Sequence, residues 1–193
     1  MKHIFIGGVA KSGKSTLAEK LCQNKNYNHI PLDYFASSLK HNFPETKITS
    51  NVIINEESSK NLSLLLSRVI NIMNDKEEPF IIDSAHILPK DIIKYIDRDK
   101  WDIYYVGYPN ITPQDKFALL RKYDKQEDWS RKRTDEELLS MAIAEIIAKF
   151  GRKSSEIIVP VVPETVMEGV QFIVPKIGDK KKLLDIALKN AKQ

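Results

Sequence analysis

Cysteine is nearly absent from this chain: Cys22 is the single one among 193 residues. A lone thiol closes no intrachain disulfide and offers no cysteine framework for a metal. It fits a reducing compartment, where free cysteine acts as a small buried hydrophobe. Long apolar runs are missing as well. Nothing approaches the ~18 consecutive apolar residues of a membrane span. The short apolar run after Lys2 lacks the h-region and cleavage site of a signal peptide. The expected location is therefore cytoplasmic, with no membrane partner. Charge of one sign is not concentrated either. Lys and Arg total 30 against 26 Asp and Glu, a net +4, and the signs alternate along most of the chain. That pattern reads as solvated surface rather than the basic stripe of a dedicated nucleic-acid binder. A polyphosphate ligand remains compatible with it, and nucleic acid is the minor expectation.

Glycine is also scarce, at 7 residues, yet Gly7, Gly8 and Gly13 all fall within the first 13 positions. Two of them belong to Gly8-Val9-Ala10-Lys11-Ser12-Gly13-Lys14-Ser15, a full match to G-x-x-x-x-G-K-[ST]. An apolar strand from His3 to Ile6 leads in. An amphipathic helix carrying Leu17, Ala18, Leu21 and Cys22 leads out, which is the context this phosphate-binding loop requires. Glycine lets the backbone turn and keeps side chains off the phosphates. The backbone from Gly8 to Ser15, together with Thr16, is expected to hold them through its amides and the helix N-terminus. Lys14 reaches the β- and γ-phosphates, and the Ser15 hydroxyl is a Mg²⁺ ligand. Gly7 lies outside the motif and reads as easing the strand's exit.

Further along, apolar runs alternate with helical periods. Strands are expected at Ile30 to Leu32 ending on Asp33, at Pro79 to Ile82 ending on Asp83, at Asp102 to Val106, and at residues 170–174. Leu62, Leu65, Leu66, Val69, Ile70 and Met73 repeat at helical spacing. Pro89 opens a short helix bearing Ile92, Ile93 and Ile96. Thr112-Pro113-Gln114-Asp115 is a capped helix start, and Thr134 to Glu137 is a capping box for a helix running to Gly151. A terminal helix is expected from Lys180 to Asn190. Alternating strands and helices predict one α/β domain over residues 1–193, a three-layer α/β/α stack around five parallel strands. Residues 35–75 are a candidate acceptor-binding insertion and residues 121–135 a candidate lid, since insertions after strand ends grip ligands in such sheets.

The loop implies a nucleotide; other positions choose the chemistry. A GTPase reading fails, because Asn24-Lys25-Asn26-Tyr27 lacks the Asp of the guanine motif and no Asp-x-x-Gly follows the third strand. A kinase reading gains from Asp33, placed to accept or orient the proton of an attacking hydroxyl. It gains from Asp83, placed to hold Mg²⁺ with Ser15. It gains also from Arg131 and Arg133, which on a closing lid would neutralise the transferring phosphoryl group and exclude water. The competing assignments are helix caps for the aspartates and solvated charge for the arginines.

Taken together, these features resemble the nucleoside and nucleoside-monophosphate kinase group of P-loop proteins, the adenylate-kinase-like small-metabolite kinases. The resemblance implies sheet order 2-3-1-4-5, a substrate region after the second strand and a lid after the fourth. It implies ATP and Mg²⁺ as cofactors, and Asp33 as the hydroxyl-binding carboxylate. Adenylate kinases carry Gly-x-Pro-Gly-x-Gly-Lys where this chain has Val9-Ala10-Lys11-Ser12, so a hydroxyl acceptor stands beside a phosphate one. The expected activity is ATP-dependent phosphorylation of a nucleoside, nucleotide, sugar or similar metabolite. A polynucleotide-end kinase and a nucleotide-binding regulator without turnover are the alternatives.

Overall fold

The computed structural model describes residues 1–8, 10–50, 56–106, 112–122, 131–141 and 170–173. Its centre is β1 (His3–Gly8), every residue of which is buried. Such a strand must be covered on both faces and paired on both edges. β1 pairs in parallel with β3 (Phe80–Ser84) on one side and β4 (Trp101–Val106) on the other. β2 (Asn28–Pro31) adds to β3, and β5 (Val170–Ile173) adds to β4. The sheet is five-stranded in the order β2-β3-β1-β4-β5. Both the strand count and the order implied by the resemblance are observed.

The pleat sends alternate side chains to opposite faces. Ile4, Ile6, Ile81, Tyr104 and Val106 pack with Leu17, Ala18 and Leu21 of α1 (Lys14–Lys25). Phe5, Ile82, Ile103 and Tyr105 pack with Leu32 and Ala36 of α2 (Leu32–Asn42) and with Leu62, Leu66 and Ile70 of α3 (Glu56–Met73). Two apolar layers on one sheet give the expected α/β/α stack. The remaining described elements are a 3-10 turn (Pro44–Thr46), α4 (Pro89–Ile92), α5 (Pro113–Lys122) and a helix holding residues 135–141. Leu120 of α5 meets Leu138 and Met141 in a small separate cluster.

Several boundaries differ from expectation. β2 stops at Pro31, and Leu32 opens α2 instead of closing the strand. Asp33 therefore sits in the first helical turn, where a carboxylate complements the helix dipole. α4 ends at Ile92, short of Ile96. Leu65 shares the spacing of α3's apolar set but is exposed, while Leu62, Leu66, Ile70 and Met73 form the buried stripe. Most of the 35–75 segment is thus the crossover that covers one face of the sheet. Gly7 does not ease the strand's exit. It lies inside β1, where an added Cβ would fall 2.3 Å from Cε1 of Tyr105. Both proposed caps are made. The Thr112 hydroxyl oxygen accepts from the Asp115 amide at 3.0 Å. In the capping box, the Glu137 amide donates to Thr134 Oγ1 at 3.2 Å and the Thr134 amide donates to Glu137 Oε2 at 2.8 Å. The terminal helix and Gly151 lie outside the described residues. Among the described residues, no helix is long and apolar enough to cross a membrane.

Candidate functional site

β1 delivers the loop to the carboxyl edge of the sheet, where ligands of open α/β sheets bind. Gly8 has φ +139°, and an added Cβ would fall 2.0 Å from the carbonyl oxygen of Val106 on the neighbouring strand. Only glycine fits there, on both counts. Lys11 and Gly13 also have positive φ, at 53° and 94°. Left-handed residues interspersed with right-handed ones gather backbone amides into an anion-binding concavity. Gly13 then caps α1, its carbonyl accepting from the Leu17 amide at 2.9 Å. No side chain caps that end and its first turn holds no acid, so its positive dipole end is not neutralised by the helix's own residues. Lys14 is buried in the first turn. Ser12 Oγ is buried and makes no hydrogen bond among the described residues. Thr16 lies in the first turn of α1. Val9 is outside the described residues.

Asp83 is opposite Ile6 on one side and Pro31 on the other, and it is 3% exposed. Its two oxygens have separate partners. Ser15 Oγ donates to Oδ2 at 2.9 Å, and the His29 Nε2 of β2 lies 2.8 Å from Oδ1. The fold has thus brought the last motif residue together with the strand-end carboxylate. A hydroxyl and a carboxylate oxygen are hard donors. They suit Mg²⁺, which takes one or two carboxylates and fills its shell with water and phosphate oxygens. Among the described residues no group of three or more His, Cys, Asp or Glu gathers for a metal, so this is no all-protein cage.

Asp33 does not end a strand, nor does it cap α2, whose N-cap is Pro31 with no side-chain bond. It reaches across to the segment after β3. Its Oδ1 accepts from the Ala85 amide at 3.3 Å and lies 3.5 Å from His86 Nε2. Its side chain is half exposed, which leaves the carboxylate open to a partner from solvent. Asp33 and Asp83 thereby face the same end of β3.

The basic segment is described only at its ends. Arg121 on α5 donates to Asp135 Oδ1 and, at 3.1 Å, to the Arg133 carbonyl. It ties the two ends of the intervening stretch together. Arg133 pairs with Glu137 at 3.5 Å, and Arg131 is exposed beside it. Residues 123–130, the middle of the candidate lid, lie outside the described residues.

Three site-proximal residues carried no signal in the motif. His29 and His86 are lone histidines whose partners stand in other elements. Lys116 of α5 is buried, and its Nζ donates to the Ala10 carbonyl inside the loop. Its spacing four before Leu120 places it on the buried face of α5, a clue that periodicity offered.

The fold is that of P-loop kinases. A sugar kinase from Janibacter sp. superposes with TM-score 0.60 at 16% identity, covering 98% of this chain and 93% of that one. Shikimate kinase from Bacteroides thetaiotaomicron gives 0.57 at 15%, over 100% and 99%. Deoxyadenosine kinase from M. mycoides gives 0.51 at 12%, over the full length of both. Sequence likeness runs elsewhere. Residues 119–193 match the family model of the UvrC ribonuclease H-like domain. The UvrABC system protein C of Christiangramia forsetii is 36% identical over 86 residues, 45% of this chain and 14% of that protein. That of Flavobacterium johnsoniae is 28% identical over 162 residues, 80% and 25%. The chain spans a quarter or less of the length of these two relatives. β5 of the kinase-type sheet falls inside the UvrC-like stretch, so the two likenesses overlap.

Proposed function

We propose that this chain, built on the P-loop kinase fold, transfers the γ-phosphoryl group of ATP to a small-molecule acceptor. The observation that carries the reading is the 2.9 Å bond between Ser15 Oγ and Asp83 Oδ2, which joins the loop to the strand-end acid. The amides from Gly8 to Thr16 and the α1 N-terminus bind the phosphates, and Lys14 follows the migrating group. Ser15 and Asp83 would hold Mg²⁺, which when bound screens the charge of the β- and γ-oxygens. Asp33, held by the Ala85 amide, orients the acceptor hydroxyl and takes its proton as the oxygen attacks. Arg131 and Arg133 close over the triphosphate from the 121–135 lid and exclude water. Residues 35–75 supply the acceptor side, with α2 placing Asp33. The whole of 1–193 acts as one domain, in the cytoplasm.

The match of residues 119–193 to a ribonuclease H-like domain model favours a second reading, in which the acceptor is the end of a nucleic acid. One assay separates these and the turnover-free alternative. ADP release is measured with Mg²⁺ and ATP across nucleosides, nucleotides, sugars and 5′-hydroxyl oligonucleotides, with ATP binding followed by calorimetry. Release with a small acceptor supports the first reading. Release with oligonucleotides only, weakening steeply with salt, supports the second. ATP binding without release under any acceptor makes the chain a nucleotide-binding regulator.

A further inference from the structure

Lysine is almost never fully buried unless its ammonium is satisfied, because an unpartnered charge out of water is costly. Lys116 is 1% exposed. Its Nζ donates to the Ala10 carbonyl, 106 residues away in sequence and inside the loop. Ala10 C=O and Lys11 N–H belong to one peptide unit. The described backbone has no cis peptide bonds, and in a trans unit the two groups point in opposite directions. Lys116 is buried, and its ammonium ends on the backbone of the loop. Holding the Ala10 carbonyl toward Lys116 turns the Lys11 amide the opposite way. Lys11 is also the residue with φ +53°, the left-handed step that lets consecutive amides converge.

From this juxtaposition we propose that Lys116 is a positioning residue for phosphate binding: its bond to Ala10 sets the 10–11 peptide so that the Lys11 amide is aimed at the nucleotide's phosphates. The inference rests on the reading of Gly8 to Ser15 as a phosphate site, and deepens it. In this role Lys116 acts through the loop backbone.

The test uses the full chain, with ADP as the probe. Calorimetry gives the affinity of wild type, Lys116→Met and Lys116→Arg, while thermal melts follow the fold. Loss of one well-aimed donor to a charged group predicts about a ten- to hundred-fold weaker ADP affinity in Lys116→Met. Lys116→Arg, which keeps a donor, restores most of it. Amide NMR supplies a reading independent of any variant: in wild type the Lys11 amide resonance moves downfield on ADP addition, and Lys116→Met abolishes that shift. A Lys116→Met chain that binds ADP as wild type does overturns the proposal. So does a wild-type Lys11 amide that ignores bound ADP. A wild type that binds no ADP overturns the phosphate-site reading itself, and this inference with it.

Discussion

Replacing Gly7 by alanine probes how tightly the strand that leads into the Gly8–Ser15 loop is packed. The added Cβ would sit 2.3, 2.4 and 2.8 Å from Cε1, Cζ and Cδ1 of Tyr105. Carbon atoms prefer about 3.5–4.0 Å, so the overlap exceeds an ångström. The ring has little room to yield. Tyr105 is buried, its register partner in the adjacent strand is Gly7, and its hydroxyl donates to the Ile87 carbonyl at 3.1 Å. Relief requires an off-rotamer ring or a parting of β1 from β4. Overpacking costs about 1–3 kcal/mol, and losing the tyrosine's buried hydrogen bond adds about 1 kcal/mol. At roughly 2–4 °C per kcal/mol for a chain of this size, the melting midpoint falls by roughly 5–15 °C. Thermal and urea unfolding followed by circular dichroism check this. The same substitution in a Tyr105→Leu background, which removes the ring, is expected to cost under about 1 kcal/mol, because contacting sites are not additive. A Gly7→Ala chain as stable as wild type, or an equal cost in both backgrounds, refutes the reasoning.

Three further outcomes are expected. Lys14→Ala lowers ADP formation by at least about 10²–10³-fold, the usual loss for one preorganised charge-stabilising donor, while circular dichroism shows a retained fold; full activity sinks the kinase reading. Ser15→Ala and Asp83→Asn each weaken Mg²⁺-dependent ATP binding, and because their oxygens are 2.9 Å apart the double variant loses less than the sum, which calorimetry at varied Mg²⁺ measures. Burial raises the Tyr27 phenol to about 12 and pushes those of Tyr104 and Tyr105 up as well. Above the unfolded value near 10 the unfolded chain loses protons that the folded chain keeps. Stability is therefore intact below pH ~10 and falls toward pH ~12, by up to ~1.4 kcal/mol per pH unit for each such tyrosine. Tyr27→Phe should flatten that decline in urea titrations between pH 9 and 11, and an unchanged slope would exclude Tyr27 as a contributor.

Much of this architecture was legible in one dimension because its causes are local. A glycine-bounded loop between an apolar strand and a helix announces itself by spacing, and so do the caps at Thr112 and Thr134. β2 ends one residue before the expected Leu32, because Ile30, Pro31 and Leu32 look alike as an apolar run. Leu32 is apolar because α2 buries it against Phe5 and Ile82, a helical use of the residue that a short run does not distinguish from a strand. Leu65 misled in the opposite way, since a stripe of spacing three and four includes a position whose side the sheet alone decides.

Read in one dimension, the chain already shows a complete G-x-x-x-x-G-K-[ST] loop from Gly8 to Ser15 and apolar segments that stack as α/β/α, because glycine freedom and hydrophobic periodicity act between near neighbours. Which side chains share the site is settled in three dimensions. Ser15 finds Asp83 across 68 residues and His29 finds it across 54. Asp33 reaches Ala85 across 52, and Lys116 reaches Ala10 across 106. Those pairings depend on the register of parallel strands, which comes from packing two apolar faces at once. No local spacing encodes it.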